Sequence, residues 1–331
     1  MKFGVVLLSE HPSGRDPTDC LEGIRSQARL VENLGFDSLW ITERHFTEDV
    51  YFDNFQLLSH IAAVTDGITI GTGVCVVPLY NPARLAERTA NLDVLSDGRF
   101  VFGAGLGNPH EAYEILGVDR KRRARRMEEV LELLRRLWVE DGVNYDGEEF
   151  TVSNVSVNPK PVQPGGPDVW IGGSAEPAVR RAARMGDAWF ASSLDSMADL
   201  DGADRAYREE LAAVGRAPSA RPVFREVFVD ESYEAATDRV RPYLTEKYAG
   251  YLERHSVESE GPGFTVEEFD ELASDRFLLG SPGRVVEEIE RYRERFDVDH
   301  LVIRTQWPGM DGEATERSLR LFAQEVLPAF E

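Results

Sequence analysis

The feature that most constrains this chain is a repeated alternation of short apolar runs with amphipathic segments of helical period. Phe3–Leu8 is rich in strand-forming residues, and Leu21–Leu34 then carries apolar side chains at helical spacing until Gly35 ends the pattern. Because neighbouring parallel strands need a crossover between them, this order predicts a parallel sheet covered by helices. The predicted strands are Phe3–Leu8, Asp37–Thr42, Ile68–Val77, Arg99–Ala104, Asp168–Ile171, Asp187–Ala191, Val223–Val229 and His300–Arg304.

Eight strand–helix units favour a closed (β/α)₈ TIM barrel, with an open doubly wound sheet as the alternative. A length of 331 residues suits one barrel, so we predict a single domain over 1–331. Two predicted insertions break the rhythm: Val143–Pro167 before the fifth strand, and a region between the seventh and eighth strands around the polar loop His255–Gly263. The predicted helices are Leu21–Leu34, Phe55–Val64, Pro82–Leu95, Arg122–Trp138, Glu176–Gly186, Ala203–Val214, Tyr233–Tyr251, Arg284–Phe296 and Glu313–Phe330.

The charge of the chain restricts its partners and its surroundings. With 59 acidic against 37 basic residues the net charge is −22, which argues against nucleic acid and anionic membranes as partners. Acid excess combined with few lysines is typical of proteins adapted to high salt, where ions screen the self-repulsion; an acidic interaction surface is the alternative. We find no apolar run of about 18 residues, and two cysteines are too few for a disulfide framework, so a cytoplasmic protein is expected.

Glycines collect just after the fourth and fifth predicted strands, where a barrel places its chemistry. Gly172-Gly173-Ser174 precedes a helix and predicts a phosphate cradle, since glycines let the backbone approach an anion and free helix amides face it; a simple helix cap by Ser174 or Glu176 is the alternative. Gly105 and Asn108, in the run Gly103–Asn108, are predicted to border a flat ring. This run lacks the third glycine and the later acid of a dinucleotide fingerprint.

Arg120–Arg126 is the one basic cluster in this acidic chain, and it begins the helix after the fourth strand. We predict that Arg123 and Arg126 reach the phosphate of an anionic cofactor. Salt bridges to the surrounding acids are the alternative interpretation.

His45 is the leading catalytic candidate, because it comes just after the second strand and Glu43 lies beside it. A histidine in this setting can act as general acid or base near neutral pH; a purely structural histidine is the alternative. The six histidines show no metal-ligand spacing, so no metal is predicted. Aromatic residues near strand ends are predicted to line the substrate space, with a core role as the alternative: Phe46, Tyr80, Trp189 and Trp307.

Several motifs, in order along the whole chain, resemble the bacterial luciferase superfamily. They include Glu43-Arg44-His45-Phe46-Thr47-Glu48, Gly71-Thr72-Gly73, Asn81-Pro82-Ala83-Arg84 and Leu321-Phe322-Ala323-Gln324-Glu325-Val326-Leu327-Pro328. The resemblance implies a barrel in which reduced flavin (FMN), usually supplied by a separate reductase, reacts with oxygen to give a flavin hydroperoxide that oxygenates a small molecule. It also implies a catalytic role for His45, a non-prolyl cis peptide near Gly73-Val74 that supports the ring, and a homodimer.

A second branch of that superfamily uses the deazaflavin coenzyme F-420 for hydride transfer, and parts of this chain are similar to it. Luciferase-type sequences commonly carry Gly-Arg-Gly after the fourth strand, whereas this chain has Leu106 between Gly105 and Gly107. Val169–Ser174 also resembles the deazaflavin branch, while the motif around His45 resembles the monooxygenases. We favour a flavin monooxygenase, with an F-420-dependent oxidoreductase as the alternative. A non-catalytic flavin-binding subunit is a third possibility, against which Glu43 and His45 weigh.

Overall fold

The computed structural model describes residues 1–107, 110–256 and 269–331 of the chain. Its strands are β1 (Lys2–Val6), β2 (Glu10–His11), β3 (Ser38–Ile41), β4 (Val50–Tyr51), β5 (Thr69–Thr72), β6 (Cys75–Val76), β7 (Phe100–Gly105), β8 (Val143–Asp146), β9 (Thr151–Val155), β10 (Val169–Gly172), β11 (Ala188–Phe190), β12 (Pro222–Val229), β13 (Phe277–Gly280) and β14 (His300–Arg304). Its α-helices are α1 (Pro17–Asn33), α2 (Asn54–Ala62), α3 (Pro82–Leu95), α4 (His110–Ile115), α5 (Arg123–Val139), α6 (Glu176–Met185), α7 (Met197–Val214), α8 (Tyr233–Ser256), α9 (Phe269–Arg276), α10 (Pro282–Phe296) and α11 (Gly312–Leu321).

The main strands form one curled parallel sheet, as the alternation of strands and helices predicts. Within the described residues its order is β11-β10-β7-β5-β3-β1-β14-β12-β13, with β6 beside β7. β1 pairs with β3 on one side and with β14 on the other, so the first and last strands of the sequence are neighbours. An isolated parallel bridge between Ala191 and Val223 links the end of β11 to β12. The protein is therefore a mixed α/β fold whose sheet curls round towards itself.

Aromatic side chains fill the concave face of the sheet. Trp40 stacks on Trp170 with ring centroids 4.8 Å apart and packs against Phe190 at 5.0 Å. Gly71 makes room for this ring, because a Cβ there would lie 2.4 Å from a Trp40 ring carbon. His300 closes the amino-terminal end with a 2.8 Å hydrogen bond to Ser38, and burial lowers its pKa to about 3. This filled interior confines polar chemistry to the carboxyl ends of the strands.

The outer face of the sheet is covered by helices that begin at recognisable signals. At α3, Asn81 accepts from the amides of Ala83 and Arg84, and Pro82 occupies the first helical position, as the sequence predicts. Both cysteines, Cys20 on α1 and Cys75 on β6, are buried free thiols. In the part of the chain that the structure describes, we find no helix long and apolar enough to cross a bilayer.

The structure differs from the prediction in two stretches: one predicted strand is split in two, and one stretch predicted as irregular contains a hairpin. The predicted third strand, Ile68–Val77, is split into β5 and β6 by a cis peptide bond between Gly73 and Val74. The irregular excursion predicted over Val143–Pro167 contains the antiparallel hairpin β8–β9. Its turn is held by Glu129, a buried carboxylate on α5 that accepts from three turn amides. The hairpin is mostly exposed and polar, so it lacks the apolar alternation that identifies a strand.

Other departures lie in the second half of the chain. β13, which pairs with β12, and α9 before it were not predicted from the sequence. α7 begins at Met197 rather than Ala203 because Ser196 and Asp199 form a capping box. The predicted closing helix Glu313–Phe330 is α11 followed by a π turn and a 3₁₀ turn at Leu327–Phe330. Most of the predicted loop His255–Gly263 lies outside the described residues.

Candidate active site

A buried carboxylate and a partly exposed histidine follow β3 and are joined by a hydrogen bond. His45 Nε2 lies 2.8 Å from Glu43 Oε1. The side chain of Glu43 is 3% exposed and that of His45 is 23% exposed. Two further donors hold the carboxylate: the Val76 amide donates to Oε2 at 2.5 Å, and the Tyr80 hydroxyl donates to Oε1. Glu43 is thus fixed from three sides, and His45 is the member of the pair that reaches solvent.

Glu43 controls the protonation of the groups around it. Its hydrogen bond raises the pKa of His45, against the opposing effect of partial burial. Burial, together with the nearby Glu43 charge, raises the pKa of both Cys75 and Tyr80, so both stay neutral. The exchangeable proton of this cluster near neutral pH is therefore the one on His45.

An open cleft lies beside the Glu43–His45 pair, with about 560 Å³ of space. Phe46 stands out from its rim: the residue has a φ of +53°, and 54% of it is exposed. Arg44 forms an ion pair with Glu10, which ties the loop after β3 to β2. The lining residues are Glu43, Arg44, His45, Phe46, Thr47, Asp49, Tyr51, Asp53 and Asn54.

A row of hydroxyl groups crosses the strand ends next to this cleft. Ser9 Oγ lies 3.2 Å from Thr42 Oγ1, which lies 2.8 Å from the Tyr51 hydroxyl. Burial raises the pKa of Tyr51, which keeps it a neutral donor. Sequence reasoning did not find this row, because hydroxyl residues are common and only the pairing of β1 with β3 brings Ser9 and Thr42 together.

Val74, on the far side of the cis peptide bond, packs against the glycines of neighbouring strands. A Cβ on Gly105 would lie 2.6 Å from Val74 Cγ2, and one on Gly172 would lie 3.2 Å from Cγ1. A Cβ on Gly103 would lie 1.8 Å from the Thr72 carbonyl oxygen. The chain's own packing therefore requires glycine at 103 and 105. The cis bond lies where the family resemblance leads us to expect it.

The loop after β10 leaves the start of α6 without a side-chain cap. The N-cap residue is Ala175, and no side chain accepts a hydrogen bond from the first helical turn. Ser174 is exposed and precedes the N-cap, so the capping role considered for Ser174 is not the one it has. Trp189 Nε1 anchors the loop by donating to the Gly173 carbonyl at 2.8 Å.

The arginine cluster is largely engaged with acids, which is the alternative that the sequence left open. Arg126 lies 3.5 Å from Glu149, which also pairs with Arg122 at 2.6 Å. Arg123 donates to the carbonyl of Arg120 at 2.9 Å. Its charge lies near Tyr113, whose hydroxyl donates to the Leu106 carbonyl at 2.5 Å, so Arg123 lies near the end of β7.

Comparison with known proteins identifies the group to which this site belongs. The model of the luciferase-like monooxygenase family matches residues 1–298. The chain belongs to this family. It is 27% identical to an F-420-dependent glucose-6-phosphate dehydrogenase of Amycolatopsis mediterranei, with 94% of each chain covered.

Solved structures share the luciferase-like fold over the whole chain. A monooxygenase from Streptomyces bottropensis superposes with a TM-score of 0.90, 23% identity and 100% of both chains covered. The FMN-bound oxygenating constituent of a type II Baeyer–Villiger monooxygenase, 3,6-diketocamphane monooxygenase from Pseudomonas putida, gives a TM-score of 0.82 and 20% identity. That match covers 99% of this chain and 98% of the other.

The remaining candidate site residues of this luciferase-like chain lie in different settings. Trp189 is 7% exposed and packs against Tyr207, and Trp307 is 1% exposed and donates to Glu226. Neither indole lines the cleft beside His45, whereas Phe46 does. Asn108 lies outside the described residues. Among residues 1–107, 110–256 and 269–331, no group of three or more histidine, cysteine or acidic side chains is arranged to hold a metal ion.

Proposed function

We propose that this luciferase-like protein is a monooxygenase that uses reduced FMN and oxygen to oxidise a small organic molecule. The observation that carries the proposal is the Glu43–His45 pair: a histidine of raised pKa, fixed by a buried carboxylate, beside an open cleft at the strand ends. The FMN-bound neighbour of the same fold supports the choice of cofactor. When bound, reduced FMN would supply the electrons and activate oxygen.

The residues after β5, β7 and β10 would hold the cofactor. The uncapped start of α6 suits an anion, so Gly172, Gly173 and Ser174 would take the phosphate, with Arg123 as a candidate cation. Arg126 would contribute only if it exchanged Glu149 for the phosphate. The ring would lie against the segment Gly73-Val74, bordered by Gly105 and Asn108.

His45 would manage the proton that accompanies oxidation of the substrate. Its Nε2 is committed to Glu43, which leaves Nδ1 as the nitrogen that can exchange a proton with a bound molecule. Glu43 would keep the ring oriented and favour its protonated form. Phe46 would cover the substrate from the rim, while Trp189 and Trp307 would support the walls from behind.

The alternative function is hydride transfer with coenzyme F-420. One feature favours it: Leu106 occupies the strand end where luciferase-type chains commonly carry a phosphate-binding arginine. The F-420-dependent relative points in the same direction. In this case His45 would supply or accept the proton that accompanies the hydride.

We further propose a single closed (β/α)₈ barrel over 1–331, with insertions before the fifth strand and between the seventh and eighth. It would work in the cytoplasm at high salt as a homodimer, with a separate reductase delivering the reduced flavin. The sheet order and the Ala191–Val223 bridge support the closed barrel, and the net charge supports the high-salt setting.

A parallel titration of FMN and F-420 in molar salt, followed by cofactor fluorescence and melting temperature, tests the proposal. Saturable binding of FMN alone supports the monooxygenase, and binding of F-420 alone refutes it in favour of hydride transfer.

With whichever cofactor binds, His45→Ala is expected to lower turnover about 100-fold or more and to leave cofactor affinity unchanged. Undiminished turnover would remove the proposed role of His45.

A further inference from the structure

A second buried polar cluster surrounds Glu226 in the middle of β12, opposite the last residue of β14. Glu226 is fully buried on β12 and forms an ion pair with Lys247 of α8. Trp307 Nε1 donates to the other carboxylate oxygen at 2.8 Å, and Ser193 donates at 3.2 Å. The hydrogen-bonding capacity of Glu226 is therefore largely taken up by these three partners.

This arrangement leaves a neighbouring arginine without an acidic partner. Arg304 is the residue opposite Glu226 in the pairing of β12 with β14, but Lys247 forms the ion pair. Among the described residues, no acid lies within ion-pair distance of Arg304, and no hydrogen bond from its guanidinium is found. Its guanidinium lies over the face of Phe224, 5.2 Å from the ring centroid.

Arg304 differs from those arginines near the strand ends that pair with carboxylates, such as Arg44 with Glu10 and Arg126 with Glu149. In the cluster itself, one carboxylate faces two cations. Lys247 has a pKa lowered to about 8 by burial and is mainly charged at neutral pH, so it cancels Glu226 and leaves the charge of Arg304 unbalanced.

Arg304 also lies within electrostatic reach of the cleft beside His45. Its charge acts to lower the pKa of Tyr51, which lines that cleft and ends the Ser9–Thr42–Tyr51 row. β14 is three places from β5 and four from β7 in the sheet, so Arg304 follows none of the strands assigned to the cofactor. Arg304 is half-buried beside Phe224 at the carboxyl end of β14, and only β1 separates β14 from β3, the strand that Glu43 and His45 follow.

We propose that Arg304 binds a carboxylate group of the substrate and thereby selects organic acids over their neutral analogues. This inference rests on the proposed function, since it assumes that a substrate occupies the cleft beside His45. A guanidinium holds a carboxylate through two parallel charge-assisted hydrogen bonds, and a half-buried site strengthens them. The Glu226–Lys247–Trp307 cluster would form the wall that fixes the position of Arg304.

The test compares acids with their amides of the same shape on cofactor-loaded protein by titration calorimetry at one fixed salt concentration. The probe pairs are benzoate with benzamide, cyclohexanecarboxylate with its carboxamide, and decanoate with decanamide. For at least one pair, wild type is expected to bind the acid about 10- to 100-fold more tightly than the amide. Arg304→Gln should abolish that preference without weakening the amide, and Arg304→Lys should retain part of it.

Arg320→Gln serves as the control, because it removes the same charge from an exposed helical pair with Glu316. It should keep the acid preference of wild type. Absence of an acid preference in every pair, or a preference that survives in Arg304→Gln, overturns the proposal. Cofactor titration and melting temperature on the same samples separate the two claims. Wild type that binds neither FMN nor F-420 would refute the proposed function, whereas normal cofactor binding without acid preference refutes only the role of Arg304.

Discussion

At the scale of single residues, Glu43 connects the parts of the candidate site although its side chain is buried. It accepts hydrogen bonds from His45, Tyr80 and the Val76 amide, and so links β3 to the segment after the cis peptide bond. These contacts with Glu43 help to raise the pKa of both His45 and Tyr80. The proposed role of His45 therefore depends on a residue that no ligand in the cleft would need to touch.

Glu43→Gln is expected to lower the pKa of His45, because the neutral amide no longer stabilises the imidazolium. NMR titration of the His45 ring protons measures the shift directly, and the pH profile of turnover should move to lower pH with it. Tyr80→Phe is the control, since it removes one donor to the carboxylate and retains the negative charge. An unchanged His45 titration in Glu43→Gln would show that the pair is not coupled.

The same pair makes stability depend on pH. The pKa of His45 is higher in the folded chain than in the unfolded chain. The ion pair with Glu43 therefore contributes its full stabilisation below the unfolded pKa, near 6.5, and loses it as the pH rises through the folded value. In Glu43→Gln this contribution should disappear. Urea unfolding of both proteins at a series of pH values checks the sign, and a wild-type contribution that grows with rising pH would contradict it.

Two glycines give a matched pair of substitutions, because one is tightly packed and the other has open space beside it. Gly105→Ala should destabilise the fold by about 1–3 kcal/mol, because the new methyl would overlap Val74. Gly23→Ala, inside α1 with nothing within 4 Å of the added Cβ, should stabilise it by about 0.5–1 kcal/mol. Chemical denaturation measures both. Equal effects of the same sign would refute the packing described around Val74.

At the scale of elements, the amino terminus of α6 is the most informative feature. Ala175→Asp would add a capping carboxylate to a helix that has none and stabilise the apoprotein by about 1 kcal/mol. The same charge should repel a cofactor phosphate and weaken its binding. Melting temperature without cofactor and affinity with it are the two measurements. Ala175→Ser supplies a neutral cap as the control, and an affinity unaffected by aspartate would place the phosphate elsewhere.

The elements also show where sequence reasoning succeeds and where it stops. The main parallel strands and the helix at Pro82–Leu95 follow from periodicity and capping signals, so they were predictable. The sequence also predicted that Glu43 and His45 lie together at the end of one strand. The row Ser9–Thr42–Tyr51 and the partners of Glu226 depend on the packing of distant segments, and no local pattern encodes them. The sequence also predicted that the arginine cluster begins a helix after β7. Its pairing with Glu149 could not be predicted, because Glu149 lies in the turn of the unpredicted β8–β9 hairpin.

At the scale of the whole molecule, the charge of −22 dominates the response to salt. Exposed ion pairs, such as Arg320 with Glu316, weaken on screening, but each contributes little. Repulsion among the excess acids is relieved at the same time, and it involves far more groups. The melting temperature should therefore rise from 0.1 M to 2 M KCl. Differential scanning calorimetry measures it, with the non-ionic osmolyte sucrose at equal osmolality as the control; a flat or falling curve with KCl would contradict the expectation.

Because both thiols are buried, the native chain should not react with thiol-reactive dyes. Cys20 is 3% exposed and Cys75 is fully buried, and the chain has no other cysteine. A cysteine introduced at exposed Ser174 would be the one site that maleimide chemistry modifies in the folded protein. A dye at this position, beside the start of α6, would report by its emission when an anionic ligand arrives. The wild-type sequence thus provides its own unlabelled background for following cofactor exchange in real time.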